Sequence, residues 1–197
     1  MLVNMRGRLI LYVLFFAVLP PLAGCAKRYT TTSGQVITLK EHEALFLHNC
    51  ENNEWWDKHS PAANCGFFGK DTIRYDPVGS LRFLKKGCDN GDDLSCLEFA
   101  GNAYKLSTDD RKIKLIRSYT LPADEVMNAR SYALNLCLNK EIVLKGTNSS
   151  NWVCYFAGKL HSNVKPIDAA NAAKAFKKNC DARNDCEELK KLGMNQP

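Results

Sequence analysis

The sequence contains no CxxC pair, only four histidines, and no apolar run long enough to cross a bilayer. Spanning takes about 20 predominantly apolar residues, whereas the N-terminal run stops at Pro20 and Pro21. The missing CxxC argues against a thioredoxin-like redox centre. Cysteine couples with five, seven, fourteen and sixteen residues between them do not have the short spacing of zinc ligands. His42, His48 and Cys50 fall near one another on a helix, a weak ligand set that ordinary structural roles explain better. No glycine-rich phosphate loop, Ser/His/Asp order or carboxylate pair stands out. Charge of one sign is also scarce: 27 basic residues face 21 acidic ones, so nothing marks a nucleic-acid binder. No metal and no cofactor are expected.

What is abundant is cysteine, nine in 197 residues. In a reducing compartment that number suggests metal ligands, and in an exported chain it suggests disulfides. The N-terminus decides between them. Arg6 and Arg8 precede the apolar run Leu9–Leu19, and small residues follow the two prolines, which is a secretory signal layout. Leu22-Ala23-Gly24-Cys25 then resembles a bacterial lipobox, in which cleavage precedes a cysteine that is acylated. Several acyl chains on one residue give stable membrane anchoring. Ala26 stands where an inner-membrane retention signal resembles aspartate, so the expected location is the outer membrane, facing the periplasm. Residues 1–24 are thus expected as a signal peptide and 25–37 as the lipidated cysteine with a tether, Ala26–Gln35 being polar. Residues 38–197 then form the folded domain.

Setting Cys25 aside leaves Cys50, Cys65, Cys88, Cys96, Cys137, Cys154, Cys180 and Cys186. Eight cysteines allow 105 pairings, so local pattern has to choose. Asp76 is a candidate helix cap with Pro77 in the first turn, and Val78, Leu81, Leu84 and Cys88 share one helical face. Asp168 is a second candidate cap, before a stripe of Ala169, Ala172, Ala173, Phe176 and Cys180. Val126, Ala129, Ala133 and Cys137 make a third stripe, and Phe46 stands four residues before Cys50. Four residues ahead of each first cysteine are Phe46, Leu84, Ala133 and Phe176, all apolar; eight ahead, Ser80, Ala129 and Ala172 are small. After the second cysteine, Gly69, Gly101 and Gly158 follow at plus four or plus five, which suits close helix approach. The unit is helix, cysteine, turn, cysteine, helix, used four times, with a degenerate last copy.

These residues resemble the Sel-one-like repeat family in its cysteine-rich, secreted branch. The stretch "FLKKGCDNGDDLSCLEFAGNAY" carries the likeness nearly throughout, with seven residues between its cysteines. The other copies depart from that spacing, and the connection Lys105–Leu121 is longer than the family's. The resemblance implies an all-α fold: α/α helical-hairpin repeats, a tetratricopeptide-like solenoid whose concave face binds other proteins. The cysteine couples then read as staples, since two antiparallel helices joined by a turn bring their end cysteines within bridging distance.

The expected work is non-catalytic: a scaffold or adaptor for an unidentified envelope protein, held to the membrane by its lipid. Candidate partner-binding residues are the paired Trp55 and Trp56 in the first long turn, and Trp152 with Tyr155. One alternative is a small envelope-enzyme inhibitor using the Trp-bearing loop. Another is a binder or enzyme directed at β-lactams or peptidoglycan, because Ser162-Asn-Val-Lys165 matches SxxK. Pro166 directly after it, and the absence of SDN and KTG, argue against that chemistry.

Overall fold

The computed structural model describes residues 28–30, 34–56, 59–112, 114–144, 147–148, 150–183 and 186–193. The expected signal peptide and Cys25 lie outside the described residues. The chain divides after His42 into two compact units.

In the first unit, β1 (Arg28–Thr30) pairs antiparallel with β2 (Val36–Thr38), Arg28 opposite Thr38 and Thr30 opposite Val36. Part of the stretch expected as a free tether is therefore a short ladder. Threonine, valine and isoleucine on either side of Gly34, which adopts φ 82°, explain it. Thr38 then starts α1 (Leu39–Asn52) with a reciprocal cap. The Glu41 amide donates to Thr38 Oγ1 at 3.3 Å, and the Thr38 amide donates to Glu41 Oε2 at 2.7 Å. Two orphan amides are satisfied by one Thr-x-x-Glu stretch.

The second unit is helical. After α1 come α2 (Pro61–Thr72), α3 (Pro77–Asp89), α4 (Asp93–Ser107), α5 (Ala123–Asn139), α6 (Ser150–Asn163), α7 (Ala169–Arg183) and the single turn α8 (Glu187–Lys191). Starts are written in the sequence. Ser60 and Asp76 cap α2 and α3, each followed by proline, and Asp92 caps α4 through the Ser95 amide. Asp168 accepts from the Asn171 amide at 3.0 Å and so caps α7. The turn from α3 to α4 closes on Gly91, whose φ of 97° suits only glycine without strain.

Four disulfides bridge consecutive cysteines: Cys50–Cys65, Cys88–Cys96, Cys137–Cys154 and Cys180–Cys186. Their Cα atoms stand 4.7, 4.6, 4.7 and 4.5 Å apart. Each bridge ties the end of one helix to the start of the next, making the helical hairpins α1–α2, α3–α4, α5–α6 and α7–α8. The third hairpin's long turn carries a two-residue ladder, β3 (Val143–Leu144) against β4 (Thr147–Asn148), beside the fully buried Ile142.

The apolar stripes form the core. Phe46, Leu84, Ala133 and Phe176 are all buried, as are Ser80, Ala129 and Ala172 one turn further back. Ala169, expected on the α7 stripe, is exposed, because it is the first residue of that helix and lies ahead of the packed face. The glycines mark the closest approaches. A Cβ on Gly69 would stand 2.8 Å from Leu84 Cγ and 2.9 Å from the Ser80 carbonyl, both on α3. On Gly158 it would strike the ring of Phe176 on α7. Gly101 instead faces the edge of Phe156 at 3.3 Å, on α6.

Candidate functional site

The four aromatic residues expected to bind partners fall into two separate settings. Trp55 and Trp56 follow α1 in a turn opened by Asn53, which has φ 58°. Trp56 and His59 exchange backbone hydrogen bonds at 3.1 and 2.9 Å, closing that turn. Neighbours in extended chain point to opposite sides. The Trp56 indole accordingly packs edge-on to Phe46, with ring centres 5.1 Å apart, while Trp55 is 72% exposed. Trp152, in the first turn of α6, lies edge-on to Tyr155 at 5.8 Å, with the Arg183 guanidinium 4.3 Å above its ring. That is cation–π geometry. Trp152 still shows 42% of its surface.

A shallow groove of about 80 Å³ runs between α3, α4 and α5. Leu81, Phe99, Ala129 and Tyr132 line its apolar part. Its charged groups are already engaged: Arg82 pairs with Glu125 at 3.0 Å, and Lys85 pairs with Asp89 at 2.5 Å while sitting 4.4 Å over the Tyr132 ring. The Tyr132 hydroxyl donates to Asp89, and burial first, then that carboxylate, push its pKa far up. The groove is thus a satisfied polar seam over apolar walls.

Ser162 sits in the last turn of α6 and its hydroxyl donates to Asn163 Oδ1 at 2.7 Å. Lys165 is exposed in the connection to α7. No three His, Cys, Asp or Glu side chains among the described residues converge as a metal site needs.

One cluster escaped the sequence reading. Arg130 on α5 is 2% exposed and His161 on α6 is 4% exposed. Arg130 Nη1 donates to the Pro166 carbonyl at 2.5 Å, and Nη2 lies 3.2 Å from His161 Nδ1. Asp168 Oδ2 stands 3.5 Å from the same imidazole nitrogen. Arg130 Nε and His161 Nε2 are buried without a hydrogen-bond partner among the described residues. Burial and the neighbouring guanidinium hold the His161 pKa below its ordinary value. The Asn171 amide, more than any charge, lowers that of Asp168. The cluster pins the α6–α7 connection to α5 and rests on a buried cation. Its signal was present: Arg130 falls at i+4 from Val126, inside the buried stripe.

No family model matches the chain, no curated protein is significantly similar to it, and no solved structure matches it.

Proposed function

We propose that this chain is an exported lipoprotein, anchored in the outer membrane through Cys25, that works without catalysis as a periplasmic scaffold for another envelope protein. The hairpins are read as Sel-one-like repeats stacked in a short solenoid. The observation that carries this is a contact made twice. Gly69 on the second helix of hairpin one receives Leu84 from the next hairpin, and Gly158 on the second helix of hairpin three receives Phe176 from the next. Leu84 and Phe176 occupy the same place, four residues before the first cysteine of their own hairpins. Repetition of one packing device between successive hairpins is what a repeat array requires, and such arrays present extended surfaces to protein partners.

The four disulfides support the exported part of this reading, since such bonds persist in an oxidising compartment. The deciding experiment is crosslinking of the native protein in intact envelopes, followed by mass-spectrometric identification of what it holds. Recovery of one reproducible envelope protein is the expected result. Crosslinks spread over abundant proteins in proportion to their abundance would sink the scaffold reading.

A further inference from the structure

The connection between α4 and α5 gathers four basic residues within seven positions. Between the two helices, residues 108–122 hold Arg111, Lys112, Lys114 and Arg117 against Asp109 and Asp110. Four cations against two aspartates leave the connection at a formal +2.

The segment is built to hold that charge outward. Its backbone is tied by its own hydrogen bonds: the Lys114 amide to the Asp110 carbonyl at 2.9 Å, and the Leu115 amide back to Lys105 at 3.1 Å. Leu115, Ile116 and Tyr119 pack against the main core, and Leu121 is buried. With those apolar residues as the root, Arg111, Lys112 and Arg117 are exposed and Lys114 is half-exposed.

Asp109 and Asp110 offset part of this charge without forming an ion pair with any of the four among the described residues. Asp110 accepts from the Lys112 amide, Asp76 caps α3, and Glu125 pairs with Arg82. Lys114 bonds only the neutral hydroxyl of Thr120, at 3.3 Å, and none of the four forms an ion pair among the described residues. Exposed or half-exposed cations spread over seven residues of a rooted loop match a diffuse anionic plane better than a discrete ligand.

We propose that the loop carrying Arg111, Lys112, Lys114 and Arg117 docks the folded domain onto the phosphate headgroups of an anionic phospholipid surface. This goes beyond the scaffold reading and does not require the lipid on Cys25. A cation near an anionic membrane strengthens binding roughly fivefold, so four together amount to roughly six-hundredfold before Asp109 and Asp110 subtract from it.

The test uses the full chain with vesicles of phosphatidylcholine alone or with phosphatidylglycerol, read by hydrogen exchange at the loop amides and by flotation. Protection of residues 109–118 is expected only with phosphatidylglycerol, and should vanish at about 1 M salt, where screening shortens to about 3 Å. Changing Arg111, Lys112, Lys114 and Arg117 together to Gln should abolish that protection, while Arg111→Lys with Arg117→Lys should keep it. Flotation with both lipids reports on the N-terminal anchor and leaves the loop readout separate. Equal exchange with the two vesicles would overturn the proposal, as would phosphatidylglycerol-specific protection that survives the four Gln substitutions. Protection by soluble polyglutamate but not by the anionic vesicles would assign the loop to an acidic polypeptide instead.

Discussion

Lys140 reaches from the end of α5 to the staple of the preceding hairpin: its Nζ lies 2.8 Å from the Cys88 carbonyl and 3.1 Å from Cys96 Sγ. Asp93 Oδ1 stands 3.7 Å from the same ammonium. The Cys88 carbonyl also accepts from the Gly91 amide at 3.1 Å, so the cation adds a charged partner at the negative end of the helix. Lys178 on α7 does the same for α5, donating to the Leu138 carbonyl at 2.9 Å. At these two junctions a lysine of the later hairpin thus caps the first helix of the one before it. Lys140→Met should cost about 1–2 kcal/mol, because a charge-assisted bond is lost at a half-buried site. Lys178→Met, at a more exposed bond, should cost less than about 1 kcal/mol. Urea unfolding of the oxidised protein measures both, and equal effects would show that the exposure of the bond does not matter.

Gly158→Ala should destabilise by about 1–3 kcal/mol, since the new methyl meets the buried Phe176 ring and overpacks the junction. Gly69→Ala should behave alike, its neighbours including the fixed Ser80 carbonyl. Gly101→Ala is the contrast. The Phe156 edge, at 3.3 Å, has to give only by tenths of an ångström, and alanine favours helix by about 1 kcal/mol, so this change should be near neutral or stabilising. Thermal melts of the three variants separate a shared packing device from three unrelated glycines.

The staples were readable because their positions obey helical spacing, and so were the caps at Asp76 and Asp168. Other features were hidden for physical reasons. Arg130 sits in a legible apolar stripe, yet a charged side chain is ordinarily assigned to solvent; only a carbonyl and an imidazole arriving from the distant α6–α7 connection make its burial tolerable. The ladder of β1 and β2 was masked by a polar composition that reads as a tether, although β-branched residues flank its glycine. The junction at Gly101 differs from those at Gly69 and Gly158. Between α4 and α5 the long Lys105–Leu121 connection intervenes, and a glycine alone does not say which helix will arrive against it.

Removing the second staple, with Cys88→Ser and Cys96→Ser together, should lower stability by roughly 2–3 kcal/mol through the short loop it closes. Non-reducing peptide mapping of the unaltered protein should recover Cys88 joined to Cys96 and the other three consecutive pairs. Any crossed pairing among the hairpins would contradict the fold. The same map should find the peptide that begins at Cys25 acylated; an unmodified Met1 start or an unlipidated Cys25 would remove the anchor from the proposed function.

Acid should weaken the Arg130–His161 junction. The folded-state pKa of His161 is depressed below 6.5, so between that value and 6.5 the unfolded chain binds more protons than the folded one. Stability then rises with pH through this window; it is fully present above about 6.5 and is lost as pH falls. The slope from one such group is at most about 1.4 kcal/mol per pH unit. His161→Gln keeps an acceptor toward Arg130 and removes the titration. Urea midpoints between pH 7.5 and 5 should therefore fall more steeply for the unaltered protein than for the variant. Parallel curves would mean that His161 does not titrate across the unfolding transition.

Trp55 and Trp56 give the sharpest separation of stability from recognition. Trp56 packs on Phe46, so Trp56→Ala should cost about 2 kcal/mol, somewhat below the value for a fully buried indole. Trp55 touches solvent over most of its surface, and Trp55→Ala should leave stability within about 0.5 kcal/mol. An exposed indole is a ready anchor, because an aromatic side chain has little freedom to lose when a partner covers it. If this turn is the docking point, Trp55→Ala should abolish partner crosslinks in envelopes while the melting curve stays unchanged. Crosslinks that persist in Trp55→Ala but disappear in Trp152→Ala would move the interface to the start of α6, where Arg183 covers the second exposed indole.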